Sequence, residues 1–116
     1  MGYYSVFIAS SSSLNANKDG TLSFSYLPTD SVKWCKVGNV VTISNIYDIQ
    51  DMPAGGWTKV GTLPSDIRPR FIFDVRSSTN MNLVYRFYPS GEVTVYNYGN
   101  AVIGAANGSF FATYVT

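Results

Sequence analysis

Hydrophobic and polar positions alternate with a period of two over short stretches of this chain. Residues 21–27, for example, place Leu22, Phe24 and Tyr26 on one side and serines between them. No stretch keeps the i, i+3, i+4 spacing of an amphipathic helix over three turns. Runs rich in Val, Ile, Phe, Tyr and Thr, separated by Gly, Pro, Asn and Asp, are typical of β-strands joined by turns. The pattern therefore predicts an all-β fold, an antiparallel β-barrel or β-sandwich.

About eight short strands are expected, and two pairs of them form hairpins. The hairpin connections are Gly38-Asn39 and Pro89-Ser90-Gly91, both rich in turn-forming residues. Residues 15–20, 48–56 and 97–109 are interpreted as turns or loops because they lack apolar alternation. The predicted strands are residues 3–9, 21–27, 32–37, 40–47, 71–76, 81–88, 92–98 and 110–115, with 57–60 as a further short candidate.

Composition and charge exclude several classes of function. The 116 residues suit one domain, and the net charge of +1 with no basic block argues against a nucleic-acid partner. The absence of histidine excludes Ser-His and Cys-His catalysis and any histidine-ligated metal. The single Cys35 forbids an internal disulfide and fits folding in a reducing cytosol. No apolar run approaches the ~20 residues of a membrane span, so membrane insertion is not expected.

Two acidic patterns are candidates for a metal site or for catalytic carboxylates. Residues 15–20 copy the first half of a calcium loop, but the twelfth position is Tyr26 where a bidentate Glu is needed, so a plain turn is favoured. Asp48 and Asp51 share a segment and could form the paired carboxylates of a glycosidase. Nothing in the sequence suggests that either is buried, so solvated aspartates are favoured, with hydrogen bonding to sugar hydroxyls as an alternative for both. We therefore expect a non-enzyme without metal or cofactor.

Aromatic residues are more numerous than one small core requires. Nine Tyr, seven Phe and two Trp make up 16% of the chain. Alternation in the second predicted hairpin places one set of side chains on its outer face: Arg86, Tyr88, Thr94, Tyr96 and Tyr98. Exposed tyrosines beside an arginine suit a contact surface, because the ring is apolar and its hydroxyl is polar. The sequence leaves open whether the contact is a ligand or another subunit.

Several short motifs resemble those of tail and baseplate proteins from phages of Gram-positive hosts. The segment WTKVGTLPSDIRP at residues 57–69 is similar to a family pattern that precedes a strand and a hairpin with an Asn/Ser-Gly turn. Residues 37–43, VGNVVTI, and the closing ATYV at residues 112–115 also fit the family. One departure is Ile67, where an aromatic residue is usual. The resemblance covers residues 34–116.

The resemblance implies a receptor-binding head domain, similar to lactococcal phage head domains. Residues 1–116 would form one β head domain, the C-terminal part of a longer tail protein, assembled as a homotrimer in the host cytoplasm and located at the tail tip of the virion. Its implied partners are host cell-wall polysaccharide and other tail or baseplate proteins. The small-residue stretch 99–108 would allow close approach at a three-fold axis.

The family's sugar site combines an aromatic residue with His, Asp and Arg, and this chain has no His. The residues expected to bind saccharide in this chain are Arg86, Tyr88, Tyr96, Tyr98, Trp57 and Asp48. The alternative is a structural module that only trimerises or docks to other tail proteins.

Overall fold

Ten β-strands and one short 3₁₀ turn make up the regular structure in a computed structural model that describes residues 17–78, 82–99 and 103–116. The elements are β1 (Lys18–Leu22), β2 (Val32–Val37), β3 (Val40–Asn45), β4 (Asp48–Met52), β5 (Trp57–Thr62), the 3₁₀ turn (Ser65–Ile67), β6 (Phe73–Arg76), β7 (Leu83–Phe87), β8 (Glu92–Asn97), β9 (Ile103–Asn107) and β10 (Phe110–Val115). The strand predicted at residues 3–9 lies outside the described residues. The described part of the chain holds no helix with the length and hydropathy that a membrane crossing needs.

The strands form two four-stranded antiparallel sheets and a separate two-stranded ladder. The first sheet has the order β1-β2-β3-β10, the second has the order β5-β8-β7-β6, and β4 pairs with β9. This confirms the all-β, antiparallel prediction. Within the described residues the strands do not close into a barrel, because each sheet ends in unpaired edge strands. Of the two predicted architectures, the sheets form the sandwich.

Both predicted hairpins are confirmed. Val37 faces Val40 across the Gly38-Asn39 turn, where Gly38 has a φ of 62°. At the second turn Gly91 has a φ of 94° and donates its N–H to the Tyr88 carbonyl at 2.8 Å. A positive φ favours glycine, so the turn residues fix where each hairpin reverses.

Three segments interpreted as turns or loops contain strands, and those predictions were wrong. Residues 18–20 belong to β1, while residues 23–27 leave the sheet after Leu22. Residues 48–52 form β4, and residues 103–107 form β9, its partner. Neither strand has an extended apolar alternation: the two core residues of β4, Ile49 and Met52, are three positions apart, and β9 is rich in Gly and Ala. The expected three-fold contact of residues 99–108 stays a prediction. Within the chain, a Cβ on Gly108 would lie 2.7 Å from the Ile49 Cβ, which already requires a small residue there.

An aromatic cluster joins the two sheets. The Phe110 ring of the first sheet lies 4.4 Å from Tyr85 and 5.9 Å from Phe87 of the second, measured between ring centroids. Tyr114 lies 5.2 Å from Phe73 in the same way. These side chains alternate with outward-facing residues on their strands, as the period-two pattern predicts. Each such ring pair contributes roughly 0.5–1.5 kcal/mol beyond the area it buries.

Two tyrosine hydroxyls in this cluster donate to backbone carbonyls. Tyr85 Oη donates to the Gly108 carbonyl, and Tyr114 Oη donates to the Ile67 carbonyl, both at 2.6 Å. Burial raises the pKa of both hydroxyls above the ordinary value of 10.0. Both tyrosines therefore remain neutral donors in the folded protein at physiological pH.

The motif at residues 57–69 connects the two sheets through hydrogen bonds. The Leu63 N–H donates to the Gly91 carbonyl at 2.8 Å, and Arg68 Nε donates to the Leu63 carbonyl at 3.1 Å. Lys36 Nζ, on the first sheet, donates to the Asp66 carbonyl at 2.7 Å. Ile67, the position that departs from the family pattern, is fully buried. An aliphatic side chain thus fills this place in the core.

We predict that alkaline pH unfolds the protein through Tyr85 and Tyr114. Because their folded pKa values are raised, their contribution to stability is complete below pH about 10 and is lost as pH rises above it. The free energy of unfolding should fall by about 1.4 kcal/mol per pH unit for each of the two groups. Urea unfolding measured across this pH range tests the slope.

Tyr85→Phe should reduce the fall of unfolding free energy with pH by the contribution of one tyrosine. At neutral pH it should lower the free energy of unfolding by about 1 kcal/mol, because the hydrogen bond is lost. Tyr47→Phe is the matched control, because Tyr47 is an exposed side chain. A wild-type slope in Tyr85→Phe would contradict the assignment.

Candidate functional site

The outer surface of the second sheet brings together most of the residues expected to bind saccharide. Two cross-strand rows run over β5, β8, β7 and β6. The first row is Lys59, Thr94, Arg86 and Asp74, and the second is Trp57, Tyr96, Val84 and Arg76. We name this surface the tyrosine–arginine face, defined by Trp57, Asp74, Arg86, Tyr88, Thr94, Tyr96 and Tyr98.

A continuous row of aromatic rings crosses this face. The Trp57 and Tyr96 rings meet edge to face at 5.0 Å between centroids, with 79° between their planes. Tyr96 and Tyr98 stack at 4.1 Å with 24° between their planes. Trp57 and Tyr96 are half-buried, and Tyr98 is 56% exposed. Such rings can pack against the C–H face of a sugar while their hydroxyl and indole N–H groups form hydrogen bonds.

Arg86 is held in place by two neighbours on the face. Its Nε and Nη2 donate to the two Asp74 carboxylate oxygens at 2.7 and 2.9 Å. Its guanidinium carbon lies 4.2 Å from the Trp57 ring centroid, within the range of a cation–π contact. A bidentate pair and a stacking contact together fix the orientation of the guanidinium. Arg86 is therefore a preoriented donor beside the aromatic row.

The charges of this pair stabilise each other. The hydrogen bonds from Arg86 hold the pKa of the Asp74 carboxyl below its ordinary value, against an opposing effect of desolvation. The hydrogen bond to Asp74 raises the pKa of the Arg86 guanidinium, with smaller contributions that include the Tyr88 hydroxyl. Both groups are thus charged at neutral pH. They cancel each other, and the centre of the face carries no net charge.

Thr94 lies on the floor of the face, in register between Arg86 on β7 and Lys59 on β5. Its side chain is buried, and its Oγ1 has no hydrogen-bond partner among the described residues. Buried hydroxyls normally have a partner. Thr94 Oγ1 is therefore an unsatisfied buried hydroxyl in the cross-strand row that holds Arg86.

The structure places five of the six expected site residues on one face and separates the sixth. Trp57, Arg86, Tyr88, Tyr96 and Tyr98 belong to the tyrosine–arginine face. Asp48 is exposed at the start of β4, opposite Asn107 of β9, and so lies on the two-stranded ladder instead.

Asp74 was missed by the sequence analysis although it orients Arg86. Its position between Phe73 and Val75 marks it as outward-facing, but only the register of β6 against β7 shows that it faces Arg86.

The half calcium loop and the cysteine both contribute residues to the first sheet. No group of three or more Cys, Asp and Glu side chains in residues 17–78, 82–99 and 103–116 is arranged to hold a metal ion. Asp19, from the half calcium loop, pairs in β1 with Cys35 of β2. Cys35 is exposed as a free thiol.

Exposed apolar side chains lie at two places on the outer side of the first sheet. Val37, Val40 and Val115 are neighbours in register on β2, β3 and β10, and all three are exposed. Phe111, on β10, is 66% exposed, and Phe71, beside Val115, is 73% exposed. We call these five residues the valine–phenylalanine face. In register, the row of Thr113, Thr42 and Cys35 lies between the valines and Phe111. Exposed large apolar side chains are typical of protein–protein contacts.

No protein-family model matches this chain, and no curated protein matches it significantly.

We predict that Asp74→Asn releases the Arg86 guanidinium from Trp57. The substitution removes the charge that orients Nε and Nη2, so the Arg86 Nε–H and Trp57 ring-proton NMR signals should shift together. In the wild type these signals should stay unchanged as pH falls to the ordinary Asp value of 3.8, because the pKa of Asp74 is lowered, and should shift only below it.

Asp19→Asn, on the first sheet, is the matched control and should leave both signals in place. Unshifted Trp57 signals in Asp74→Asn would show that the ion pair does not position the arginine.

Proposed function

We propose that this chain is a receptor-binding head domain of a phage tail or baseplate. In this proposal it attaches the virion to saccharide on the surface of a Gram-positive host, acts as a homotrimer and performs no catalysis. The phage assignment comes from the resemblance of residues 34–116 to such head domains. The location at the tail tip and the contacts with other tail proteins follow from the same resemblance.

The observation that carries the saccharide part is the aromatic row of Trp57, Tyr96 and Tyr98. Its rings are partly exposed and are stabilised by one another rather than by the core. Exposed aromatic side chains that contribute to no core favour a contact surface. The rings supply an apolar platform, and their hydroxyls and the indole N–H supply hydrogen bonds to sugar hydroxyls.

Arg86 adds directional donors to this platform. The Asp74 carboxylate accepts hydrogen bonds from the Nε and one Nη group of Arg86. The guanidinium has five N–H donors in all. The remaining donors can bind hydroxyl or ring oxygens of a sugar lying on Tyr96 and Trp57. Because the guanidinium is already oriented, little side-chain entropy is lost on binding.

The homotrimer part is supported by the valine–phenylalanine face. It lies on the outer side of the first sheet, whereas the tyrosine–arginine face lies on the outer side of the second. Subunit contacts through the first sheet would leave the saccharide face free in every subunit. Several weak sites acting together would then bind a cell surface much more tightly than one site.

A second candidate function is a structural module that trimerises or docks to other tail proteins without binding sugar. The observation that favours it is again the valine–phenylalanine face, whose exposed Phe71 and Phe111 suit a protein partner. Saccharide binding requires the tyrosine–arginine face, whereas the structural module does not.

Trp57→Ala and Tyr96→Ala should each weaken binding to host cell-wall polysaccharide about tenfold, the equivalent of about 1.4 kcal/mol per ring. The measurement is binding of the purified chain to immobilised polysaccharide, with the oligomeric state of each variant determined by light scattering.

Tyr47→Ala is the matched control, since it removes an exposed tyrosine from outside both faces. Unchanged binding in the ring variants with the oligomer intact would contradict the proposal and favour the structural module. Cleavage of the polysaccharide by the wild type would contradict the non-catalytic assignment.

A further inference from the structure

A cleft of about 380 Å³ lies away from the tyrosine–arginine face, between the loop after β1 and strand β4. Its lining residues are Tyr26, Leu27, Pro28, Gln50 and Asp51. The Gln50 N–H donates to the Tyr26 carbonyl at 2.9 Å and joins the two walls. The volume falls within the range of roughly 300–1,000 Å³ that is typical of small-molecule sites.

A residue with positive φ in β4 shapes one wall of this cleft. In the pairing of β4 with β9, Gln50 faces Ala105 and Met52 faces Ile103, so the register is the same on both sides of Asp51. Asp51 has a φ of 60°, and both it and Gln50 are exposed although they are adjacent on the strand. A positive φ turns a side chain away from the strict alternation of a strand, and non-glycine residues in this conformation cluster at functional sites. Both polar side chains therefore line the same cleft.

Tyr26 on the opposite wall is also in the left-handed region, with a φ of 71°. For a non-glycine residue this conformation costs of the order of 1–3 kcal/mol and persists only where the surroundings impose it. Two flanking backbone hydrogen bonds do so, Ser25 N–H to the Val60 carbonyl at 2.8 Å and Gln50 N–H to the Tyr26 carbonyl. Two residues in this conformation thus meet at one cleft.

Asp30 is the remaining non-glycine residue with positive φ in the described part of the chain. Its side chain has a structural role. Its carboxylate and its N–H both bond to Ser23 Oγ, at 3.1 and 2.9 Å. The Asp51 carboxylate, by contrast, forms no hydrogen bond or ion pair with any described residue. Its acceptor oxygens are directed to solvent at the edge of the cleft and are available to a ligand.

We propose that this cleft binds one sugar ring that carries no anionic group. The carboxylate of Asp51 accepts hydrogen bonds from sugar hydroxyls, and the Gln50 amide both donates and accepts. Tyr26, Leu27 and Pro28 supply the apolar wall for the C–H face of the ring. Among the described residues that line the cleft, Asp51 alone is charged, and it would repel an anion.

The source of the sugar, host surface saccharide, rests on the proposed function, whereas the chemistry of the cleft does not. With a second subsite in each subunit, an extended glycan chain or a neighbouring chain could be held at two points. Attachment would then gain from effective concentration as well as from the number of subunits.

The test is an NMR titration of the isotope-labelled chain with galactose, rhamnose, glucosamine and glucuronate as probes. The Gln50 and Asp51 amides report on the cleft, and the Trp57 indole reports on the tyrosine–arginine face. At least one of the three non-anionic sugars should cause saturable shifts at Gln50 and Asp51, and glucuronate should cause none. Absence of saturable cleft shifts with all three, or equal shifts with glucuronate, overturns the proposal.

Asp51→Gly separates binding from folding. Glycine adopts a φ of 60° without strain, so urea stability should be unchanged or higher while cleft affinity falls about tenfold or more. Asp19→Asn, an exposed aspartate on β1, is the control and should bind as the wild type does. Wild-type affinity in Asp51→Gly overturns the proposal. The cleft and the tyrosine–arginine face have separate NMR reporters. Shifts at Gln50 and Asp51 without shifts at Trp57 would support sugar binding in the cleft and would count only against the proposed function of the tyrosine–arginine face.

Discussion

The fold depends on burying two tyrosine hydroxyls between the sheets. Phe110, Tyr85 and Phe87 can pack at 4.4–5.9 Å only if the Tyr85 hydroxyl has an acceptor, which Gly108 supplies at 2.6 Å. A buried donor without a partner costs ~1–3 kcal/mol, so each bond fixes where its acceptor must lie. Tyr85 thereby fixes the segment between β9 and β10, and Tyr114 fixes the 3₁₀ turn through Ile67. These two bonds set the relative position of the sheets and leave the outer surfaces free to vary.

The outer surfaces differ in chemistry, and that difference underlies the proposed division of roles. On the second sheet, the Arg86–Asp74 pair and the Trp57–Tyr96–Tyr98 row combine polar donors with aromatic rings. On the first sheet, Val40 and Phe111 are exposed without charged neighbours in their own strands. A polar-aromatic surface suits a hydroxylated ligand, and exposed apolar side chains suit another protein chain.

Sequence pattern predicted the parts of the fold where side-chain alternation and turn chemistry agree. The strand at 110–115, the Gly38-Asn39 turn and the Pro89–Gly91 turn are of this kind. Strand β4 escaped prediction because its two core residues, Ile49 and Met52, are three positions apart and break the alternation, and β9 has a single large apolar residue. The grouping of Trp57 with Arg86 required the register of β5, β8 and β7, which local pattern does not contain. The partnership of Asp74 with Arg86 and the separate position of Asp48 depend on register in the same way, whereas the exposure of Asp51 beside Gln50 depends on its positive φ.

The central claim is that the tyrosine–arginine face is free to hold a saccharide. A crystal structure of the chain soaked with fragments of host cell-wall polysaccharide tests it most directly. The account predicts a sugar ring over Trp57 and Tyr96, within hydrogen-bond distance of Arg86, on a face that no neighbouring subunit covers. A subunit packed over Tyr96 and Tyr98, with the sugar absent from the face, would contradict it.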